Sequence, residues 1–529
     1  MLNKFKFLFL TLSCVYSQQF TYQPEDWYII SSPGEINSIT ETPFMIYFGS
    51  ENGIYKYDKF DHELLADNML TRYLSSRKIL HLYYDEYTAY FWVVTDDGIF
   101  FRSENASYWR ESEYNYQWNI TDIGSSTNRI WIKSFDSLTP LDPFTGMISE
   151  LSEDEELNEF DIHWGFSKYG EAGKNIQSNR FSFYPKDLQD IQQERDYFYQ
   201  STFTVEMKDF QGNYWFGTNT GEIFKVPSNS NRYKKVSNSL GIDAVTEIYL
   251  DDFGKWWFGN NNFKQTGNRF NMDGVFLSKW NEDRNTWRHY RSDESVSIRN
   301  TDINCLQLID NTLFVGTVNG LLTLNTRSNK WSHITKSFND KAIWDMVHFD
   351  GLIYCATQRG ITEVSAVSKI VIPDPQGVFK RFYNREVYDL ELNDNFLYVA
   401  SEIGLDRLDL HKMVWENLSE FSTKKVSIDQ EIVYLEGHQL KKYLLNSKDE
   451  IIFDWVEDFV HLGNFVWITT INEVTLIDLE SSQEWVYTQS DGIPGEKVFT
   501  IGCDNDWVWF GTNSGVAYYN WSIYHKTEK

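Results

Sequence analysis

Tyr-Trp-Phe-Gly-Thr-Asn-Thr-Gly occupies Tyr214–Gly221, and the nearly identical Val-Trp-Phe-Gly-Thr-Asn-Ser-Gly occupies Val508–Gly515. Weaker copies of this phrase fill most of the remaining chain at intervals of roughly 40 residues. The unit between two copies shows no helical pattern. A self-similar unit of this kind is typical of stacked or circular β architectures, so the repeat predicts an all-β fold.

One complete unit lies between Thr202 and Val236. Its four short segments are alternating or densely apolar, as strands are, and turn residues such as Asp209 and Gly212 separate them. Four antiparallel strands form one twisted blade, which has two faces to bury. Packing blades around an axis and closing the ring buries both faces. Gly217, after the aromatic pair, suits a strand near the crowded centre.

The copies amount to about 12 units, whereas a closed propeller usually has 4–8 blades. The sequence therefore predicts two β-propellers of about six (five to seven) four-stranded blades each. We expect the first over residues 18–295 and the second over residues 296–529. A division into seven plus five blades remains open.

A strand-like segment, Asp26–Ile30, precedes the first unit and resembles the fourth strands of later units, such as Glu484–Thr488. The last unit, Gly515–Lys529, has no clear turn after its third strand. We therefore expect the N-terminal strand to complete a blade built from later sequence. If that blade is the last one, the first ring would be split between the two chain ends.

The composition excludes several classes of partner. A formal net charge of −28 over 529 residues repels nucleic acids, so no nucleic-acid binding is expected. No stretch of about 20 apolar residues follows the N-terminal region, so no transmembrane segment is expected in the mature chain. Cys305, Cys355 and Cys503 match no metal spacing, and their odd number argues against a disulfide framework.

The N-terminus has the pattern of an export signal. Lys4 and Lys6 flank the start of an apolar run, Phe5–Leu12, and small residues follow before Gln18. The pattern predicts a signal peptide over residues 1–17 and a location in the periplasm or at the cell surface. Acylation at Cys14 is an alternative that would make the chain a lipoprotein.

The quoted motifs resemble the two-component regulator propeller repeat. Asp209–Thr218 matches its Asp-x-x-Gly-Asn-x-Trp-x-Gly-Thr core, Asp252–Gly259 matches it well, and Asp491–Pro494 followed by Val498–Thr512 matches lead-in and core together. The resemblance implies paired propellers like those in the extracytoplasmic part of bacterial hybrid two-component sensors. It is also similar to double-propeller surface proteins of the type IX secretion machinery. Such propellers bind or scaffold, and no kinase region follows the last repeat, so we expect a free-standing exported propeller.

No catalytic or cofactor motif is present in the sequence. The ten His are scattered without zinc spacing, and neither a nucleophile elbow nor a phosphate-binding Gly loop occurs. We therefore expect a protein that is not an enzyme, needs no cofactor or metal, and binds a glycan, a peptide or an envelope protein through its loop faces. A carboxylate pair at a ring centre keeps open a polysaccharide lyase or hydrolase. A surface or secretion-machinery assembly component is a second alternative.

Two segments that interrupt the repeat supply the candidate contact residues. One is rich in aromatic side chains, which stack on sugars and anchor protein partners; its alternative is ordinary strand packing. The other inserts about ten residues into a turn, and its alternative is a solvated loop. The candidates are Tyr108, Trp109, Tyr114, Tyr116, Trp118, Phe263, Lys264, Arg269 and Phe270.

Overall fold

The computed structural model describes residues 26–525 except 63, 72–73, 75–77, 107, 115–119, 136, 151–158, 171–175, 177–201, 237–238, 243, 261–274, 283–285, 292–301, 335–341, 375, 430, 445–448, 472 and 505. The expected signal peptide and Cys14 therefore lie outside the described residues. Nearly all regular structure is β, in four-stranded antiparallel sheets. The prediction of an all-β fold built from propeller blades is confirmed.

The strands fall into two groups along the chain. The N-terminal strand is β1 (Trp27–Ile30). The strands that we call the first propeller are β2 Ile36–Glu41, β3 Met45–Ser50, β4 Gly53–Asp58, β5 Leu64–Ala66, β6 Ile79–Asp85, β7 Tyr90–Thr95, β8 Ile99–Ser103, β9 Arg110–Glu111, β10 Ile120–Ser126, β11 Arg129–Ser134, β12 Leu138–Leu141, β13 His163–Trp164, β14 Phe166–Ser167, β15 Phe203–Lys208, β16 Tyr214–Thr218, β17 Ile223–Val226 and β18 Lys234–Lys235.

The second propeller contains the remaining strands together with β1. They are β19 Glu247–Leu250, β20 Trp256–Gly259, β21 Val275–Asn281, β22 Thr286–Arg291, β23 Ile303–Ile309, β24 Thr312–Thr317, β25 Gly320–Asn325, β26 Lys330–Ile334, β27 Ile343–Phe349, β28 Leu352–Thr357, β29 Gly360–Ser365, β30 Val371–Ile372, β31 Val387–Asn393, β32 Phe396–Ser401, β33 Gly404–Asp409, β34 Val414–Ser419, β35 Thr423–Ile428, β36 Ile432–Glu436, β37 Gln439–Lys442, β38 Glu450–Phe453, β39 Asp458–Leu462, β40 Phe465–Thr469, β41 Val474–Asp478, β42 Gln483–Tyr487, β43 Val498–Cys503, β44 Trp507–Thr512 and β45 Gly515–Asn520. Short helical turns are Asn68–Thr71, Glu159–Asp161, Lys380–Phe382, Gln489–Asp491 and Ser522–His525.

The inner strands of the second propeller close a ring of seven sheets. Contacts run from β19 through β23, β27, β31, β35 and β39 to β43, and β43 contacts β19 again. At this last junction, a Cβ on Gly511 would lie 2.6 Å from the carbonyl oxygen of Val245. The aromatic-pair glycine therefore permits the close approach of neighbouring blades that the sequence predicts.

The N-terminal strand closes this second ring. β1 pairs antiparallel with β45, with Trp27 opposite Tyr519 and their rings stacked at 4.6 Å between centroids. The expectation that it completes a blade of later sequence, the last one, is confirmed. The expectation that this would split the first ring is wrong, because the closed sheet belongs to the second propeller and the first is inserted between β1 and β19.

The expected division between residues 295 and 296 separates β22 from β23, whose sheets are neighbours in the closed series. The division itself stays a prediction. Val236 belongs to a core cluster of the first propeller, and Leu240 to one of the second. These two cores favour a boundary near residue 240.

The repeat motif has a hydrogen-bonding explanation. The buried Asp209 carboxylate accepts the backbone N–H of Asn213 at 2.7 Å and the indole N–H of Trp215 at 2.8 Å. Asp251 makes the same bond to the indole of Trp257 at 2.9 Å. The Asp therefore fixes the turn and orients the core Trp of the next strand, which agrees with the interpretation of these motifs as hairpin turns.

Candidate axial site of the second propeller

The inner strands present equivalent residues to the axis of the second propeller. Each of β27, β31, β35 and β43 has a register shift after its first residue, so that its third residue pairs with the next-to-last residue of the neighbouring strand. These third residues are Asp345, Asp389, Lys425 and Thr500, and all four keep part of their surface accessible. The ring centre is therefore lined by polar and charged side chains that solvent reaches.

Three of these side chains tie neighbouring sheets together. Oδ2 of Asp345 accepts the backbone N–H of Leu390 at 2.9 Å, and Oδ2 of Asp389 accepts that of Val426 at 2.8 Å. Nζ of Lys425 donates to Oδ1 of Asp458 at 2.7 Å. The residues are thus held in place by contacts between sheets.

Negative charge dominates the site. Lys425 interacts electrostatically with five surrounding carboxyl groups from four inner strands. They belong to Glu247, Asp345, Asp389, Glu391 and Asp458. One internal cation does not balance five acidic groups, so the site favours a further cation when they are ionised.

Burial raises the pKa values of three carboxyl groups in this cluster. It raises the pKa of Asp345 to about 6 and that of Glu391 to about 7, and it raises the pKa of Asp389 well above its usual range with help from the Asp345 charge. Burial alone would lower the pKa of Lys425, but Asp458 and Asp389 together raise it above its ordinary value. The raised pKa keeps the lysine charged at neutral pH, while the Asp345 and Glu391 carboxyl groups lose their protons near pH 6 and 7.

Aromatic side chains accompany the charged ones at the start of the inner strands. Trp344, Tyr388 and Phe499 are the bulge residues that directly precede Asp345, Asp389 and Thr500, and all three are partly exposed. The indole N–H of Trp344 is shielded from solvent and has no hydrogen-bond partner in the described part of the chain. Nζ of Lys424 lies 3.5 Å from the ring centroid of Tyr388, and Nζ of Lys497 lies 5.4 Å from that of Phe499, so the chain's own lysines already accompany two of these rings. Trp344 offers apolar surface next to the acidic groups.

The axis of the first propeller is occupied by its own chain. The segment Ile162–Gly170, which we call the plug, pairs with β10 through β13 and with β2 through β14. Gly165 N–H donates to the Ile123 carbonyl at 2.8 Å, and Lys168 N–H donates to the Asn37 carbonyl at 2.7 Å. An extended segment therefore fits between the inner strands of this fold.

The structure separates the sequence-predicted contact residues. Tyr108 is 63% exposed, whereas Trp109 and Tyr114 are buried in two hydrophobic clusters of the first propeller. The Trp109 indole donates to the Leu70 carbonyl at 2.8 Å, which is ordinary core packing. Tyr116, Trp118, Phe263, Lys264, Arg269 and Phe270 lie outside the described residues. A ligand-binding role for the nine stays a prediction.

The axial residues were missed by the sequence analysis although a signal existed. Trp344-Asp345 and Tyr388-Asp389 each follow a β-branched residue at the start of an apolar strand. A charge inside such a strand is unusual, since buried charges need partners. The repeated aromatic–Asp pair could have marked these two strands.

Several other features bear on the classes of site. Among the described residues, no group of three or more His, Cys, Asp or Glu side chains is arranged to hold a metal ion. A helix with the length and hydropathy of a membrane span does not occur in that part of the chain either. Cys305, Cys355 and Cys503 are free thiols. In the described ranges, Lys425 is the cation that interacts with the carboxyl groups of the axial cluster.

No protein-family model and no curated protein matches the chain. Among solved structures, PorZ of Porphyromonas gingivalis, a surface component of the type-IX secretion system, is 12% identical over 94% of this chain and 87% of that chain, with a TM-score of 0.58. Extracellular domains assigned to a one component and a hybrid two component system of B. thetaiotaomicron are 14% and 16% identical. They cover 92% and 93% of this chain and 70% and 69% of their own, each with a TM-score of 0.43. The likeness to PorZ shows a shared fold.

Proposed function

We propose that the chain is an exported, non-enzymatic double propeller that binds an extended, basic peptide segment of an envelope protein at the axis of the second propeller. The observation that carries this proposal is the accessible acidic cluster around Lys425. The cluster stands where the first propeller holds its plug. A peptide with a Lys or Arg side chain would supply the missing positive charge.

The plug supports the choice of an extended peptide. It shows that inner strands of this chain accept an additional antiparallel segment, because β14 adds a fifth strand to the sheet of β2. Extended peptides bind sheet edges in this way and gain specificity from their side chains. Glycan binding is the alternative, for which the partly exposed Trp344 and Tyr388 would serve as stacking surfaces.

The proposal that the chain is exported and acts at the cell envelope is supported by the N-terminal sequence pattern and by the fold that it shares with PorZ. The first 17 residues have the composition of a signal peptide. The PorZ neighbour is a bacterial surface component of a secretion system. Both support an exported scaffold at the periplasm or cell surface, and immunodetection in cell fractions tests this location.

A peptide array tests the binding function. Extended peptides are compared that carry no, one or two Lys or Arg residues and are otherwise uncharged. Their dissociation constants are measured by fluorescence anisotropy. We expect binding only by the basic peptides, weakening with added salt because the attraction is ionic. The double variant Asp345→Asn/Asp389→Asn, which keeps an acceptor for each backbone N–H, should weaken binding about tenfold.

Asp394→Asn is the matched control, since Asp394 lies in the exposed turn after β31 and its loss removes the same kind of charge. Equal binding of neutral and basic peptides, or equal loss in the control, would refute the proposal. Binding of glycans alone would favour the alternative ligand.

The enzyme alternative has one observation in its favour, the hydrogen bond between the carboxyl groups of Asp345 and Asp389. Retaining and inverting glycosidases separate their carboxyl groups by about 5 Å or more, which is wider than a hydrogen bond. The pair therefore serves better as a link between sheets. Turnover of acidic polysaccharides that is lost in Asp345→Asn would establish the enzyme instead.

A further inference from the structure

A cleft of about 480 Å³ lies between the last two sheets of the second propeller. One wall is the turn from β40 to β41, which includes Ile471 and Glu473. The other wall is the connection from β42 to β43, which includes Gln489 and Glu496. The cleft is made of residues other than those of the axial cluster.

The second wall is fixed by its own hydrogen bonds. The backbone N–H and hydroxyl of Thr488 donate to Oδ2 of Asp491 at 2.7 and 2.9 Å. Oδ1 of Asn513 accepts the backbone N–H groups of Glu496 and Lys497 at 3.0 and 3.1 Å. A wall held in this way needs little ordering when a ligand arrives, which favours binding.

The floor is apolar and the rim is acidic. Val474, Tyr487 and Ile493 are buried side chains that line the cleft. At the rim, the side-chain carboxylates of Glu473 and Glu496 have neither a hydrogen-bond nor an ion-pair partner among the described residues. The two carboxylates are therefore available to a ligand.

We propose that this cleft binds the side chain of an arginine from a peptide segment. The alkyl stem of arginine would lie against Ile471, the lining residue that is 66% exposed, as long cationic side chains do on apolar surfaces. The guanidinium would pair with the Glu473 and Glu496 carboxylates, for which its planar donors are suited. The volume lies within the range of about 300–1,000 Å³ that is usual for small-ligand sites. This site does not depend on ligand binding at the axis.

Two small probes of nearly equal shape test the proposal: N-acetyl-arginine amide and the uncharged N-acetyl-citrulline amide. Both are titrated calorimetrically into the full chain. We expect saturable binding of the arginine probe and binding of the citrulline probe that is at least about tenfold weaker. Glu473→Gln/Glu496→Gln should weaken the arginine probe to the citrulline level.

The axial variant Asp345→Asn/Asp389→Asn distinguishes the two sites: the single-residue probe lacks the extended backbone that the axial site requires, so this variant should bind the probe as the wild type does. Glu484→Gln is the matched control, since Glu484 is an exposed carboxylate on β42 outside the cleft, and it should leave affinity unchanged. Three outcomes would overturn the proposal: no saturable binding by the wild type, equal affinity for the two probes, or a loss confined to the axial variant.

Discussion

The two propellers differ in how far one register position of their inner strands is exposed. In the first, Ser38 and His81 follow the register shift of their inner strands and are buried, next to a sheet that the plug Ile162–Gly170 joins. In the second, Asp345 and Asp389 occupy the same position and keep accessible surface. A backbone segment fills the first axis, whereas charged side chains line the second.

The difference shows that the filling of an axis decides which residues it tolerates. A plug excludes water, so a charge beside it carries a desolvation cost that polar partners must offset, as at Asp122, the buried residue at this position of β10. Neutral residues such as Ser38 avoid that cost. At the second axis the Asp345 and Asp389 carboxyl groups each accept a backbone N–H from the next sheet, and the Lys425 charge lowers the cost of ionising Asp389.

The largest test of this contrast places a charge at the same register position of each propeller. Ser38→Asp should lower the free energy of unfolding by about 4 kcal/mol, because the carboxylate would be buried without a counter-ion. Thr500→Asp should change it by less than about 1 kcal/mol, because Thr500 is partly exposed. Chemical denaturation followed by peptide-resolved hydrogen exchange measures both. Similar losses in the two variants would mean that both axes are equally closed.

The second test weakens the pairing of the N-terminal strand β1 with β45, which closes the second propeller. Trp27→Ala should lower the free energy of unfolding by about 3 kcal/mol, since it removes a buried indole that stacks on Tyr519. Tyr28→Ala, on the same strand but 45% exposed, should cost less than about 1 kcal/mol. Hydrogen exchange should accelerate in β45 and stay unchanged in β3. Faster exchange in the first propeller would contradict the assignment of β1.

Much of the fold could be read from the repeat because its physics is local. The turn chemistry of Asp209 and the close approach at Gly217 lie within one unit or against its neighbour, so the sequence pattern carries them. The pairing of β1 with β45 could be inferred because the last unit lacks a fourth strand. The sequence could not show which propeller this closed sheet belongs to. That depends on which blades contact each other, and the sequence pattern of a single blade does not encode those contacts.

The candidate site was less accessible to sequence reasoning. The aromatic clusters in the sequence predict a binding surface, but Trp109 and Tyr114 are packed in hydrophobic cores. The prediction is not specific, because the strands of this fold also bury aromatic side chains. The axial cluster draws Asp345, Asp389 and Lys425 from three separate units. Each is one charge among many in an acidic chain, and only the ring brings them together.

The third test compares two glycines on inner strands, and its effect is smaller. A Cβ on Gly124 of β10 would lie 2.6 Å from the carbonyl oxygen of His163 in the plug, whereas one on Gly502 of β43 would meet nothing closer than 3.8 Å. Gly124→Ala should therefore cost about 1–3 kcal/mol, with faster exchange around the plug. Gly502→Ala should be neutral or stabilise by up to about 1 kcal/mol. Equal effects would show that the plug does not press on β10.

The last test concerns a pair of opposite pH dependences, whose effect within any one pH unit is small. Burial lowers the pKa of His81 from 6.5 to about 4, so the folded state binds fewer protons than the unfolded chain, and stability is lost as the pH falls from about 6.5 to about 4. Burial raises the pKa of Asp345 from 3.8 to about 6, so its contribution is present below about pH 4 and is lost as the pH rises through about 6.

Each group should contribute a slope of at most about 1.4 kcal/mol per pH unit within its window. His81→Gln should flatten the acid-side loss of unfolding free energy, and Asp345→Asn should flatten the loss toward neutral pH, when unfolding is measured between about pH 4 and pH 7. The signs are opposite because burial disfavours the charged form in both cases, and the charged form is the protonated one for histidine and the deprotonated one for aspartate. Slopes that change in the same direction in both variants would mean that burial does not disfavour the charged form of both groups, and the explanation of the two pKa shifts by burial would then be wrong.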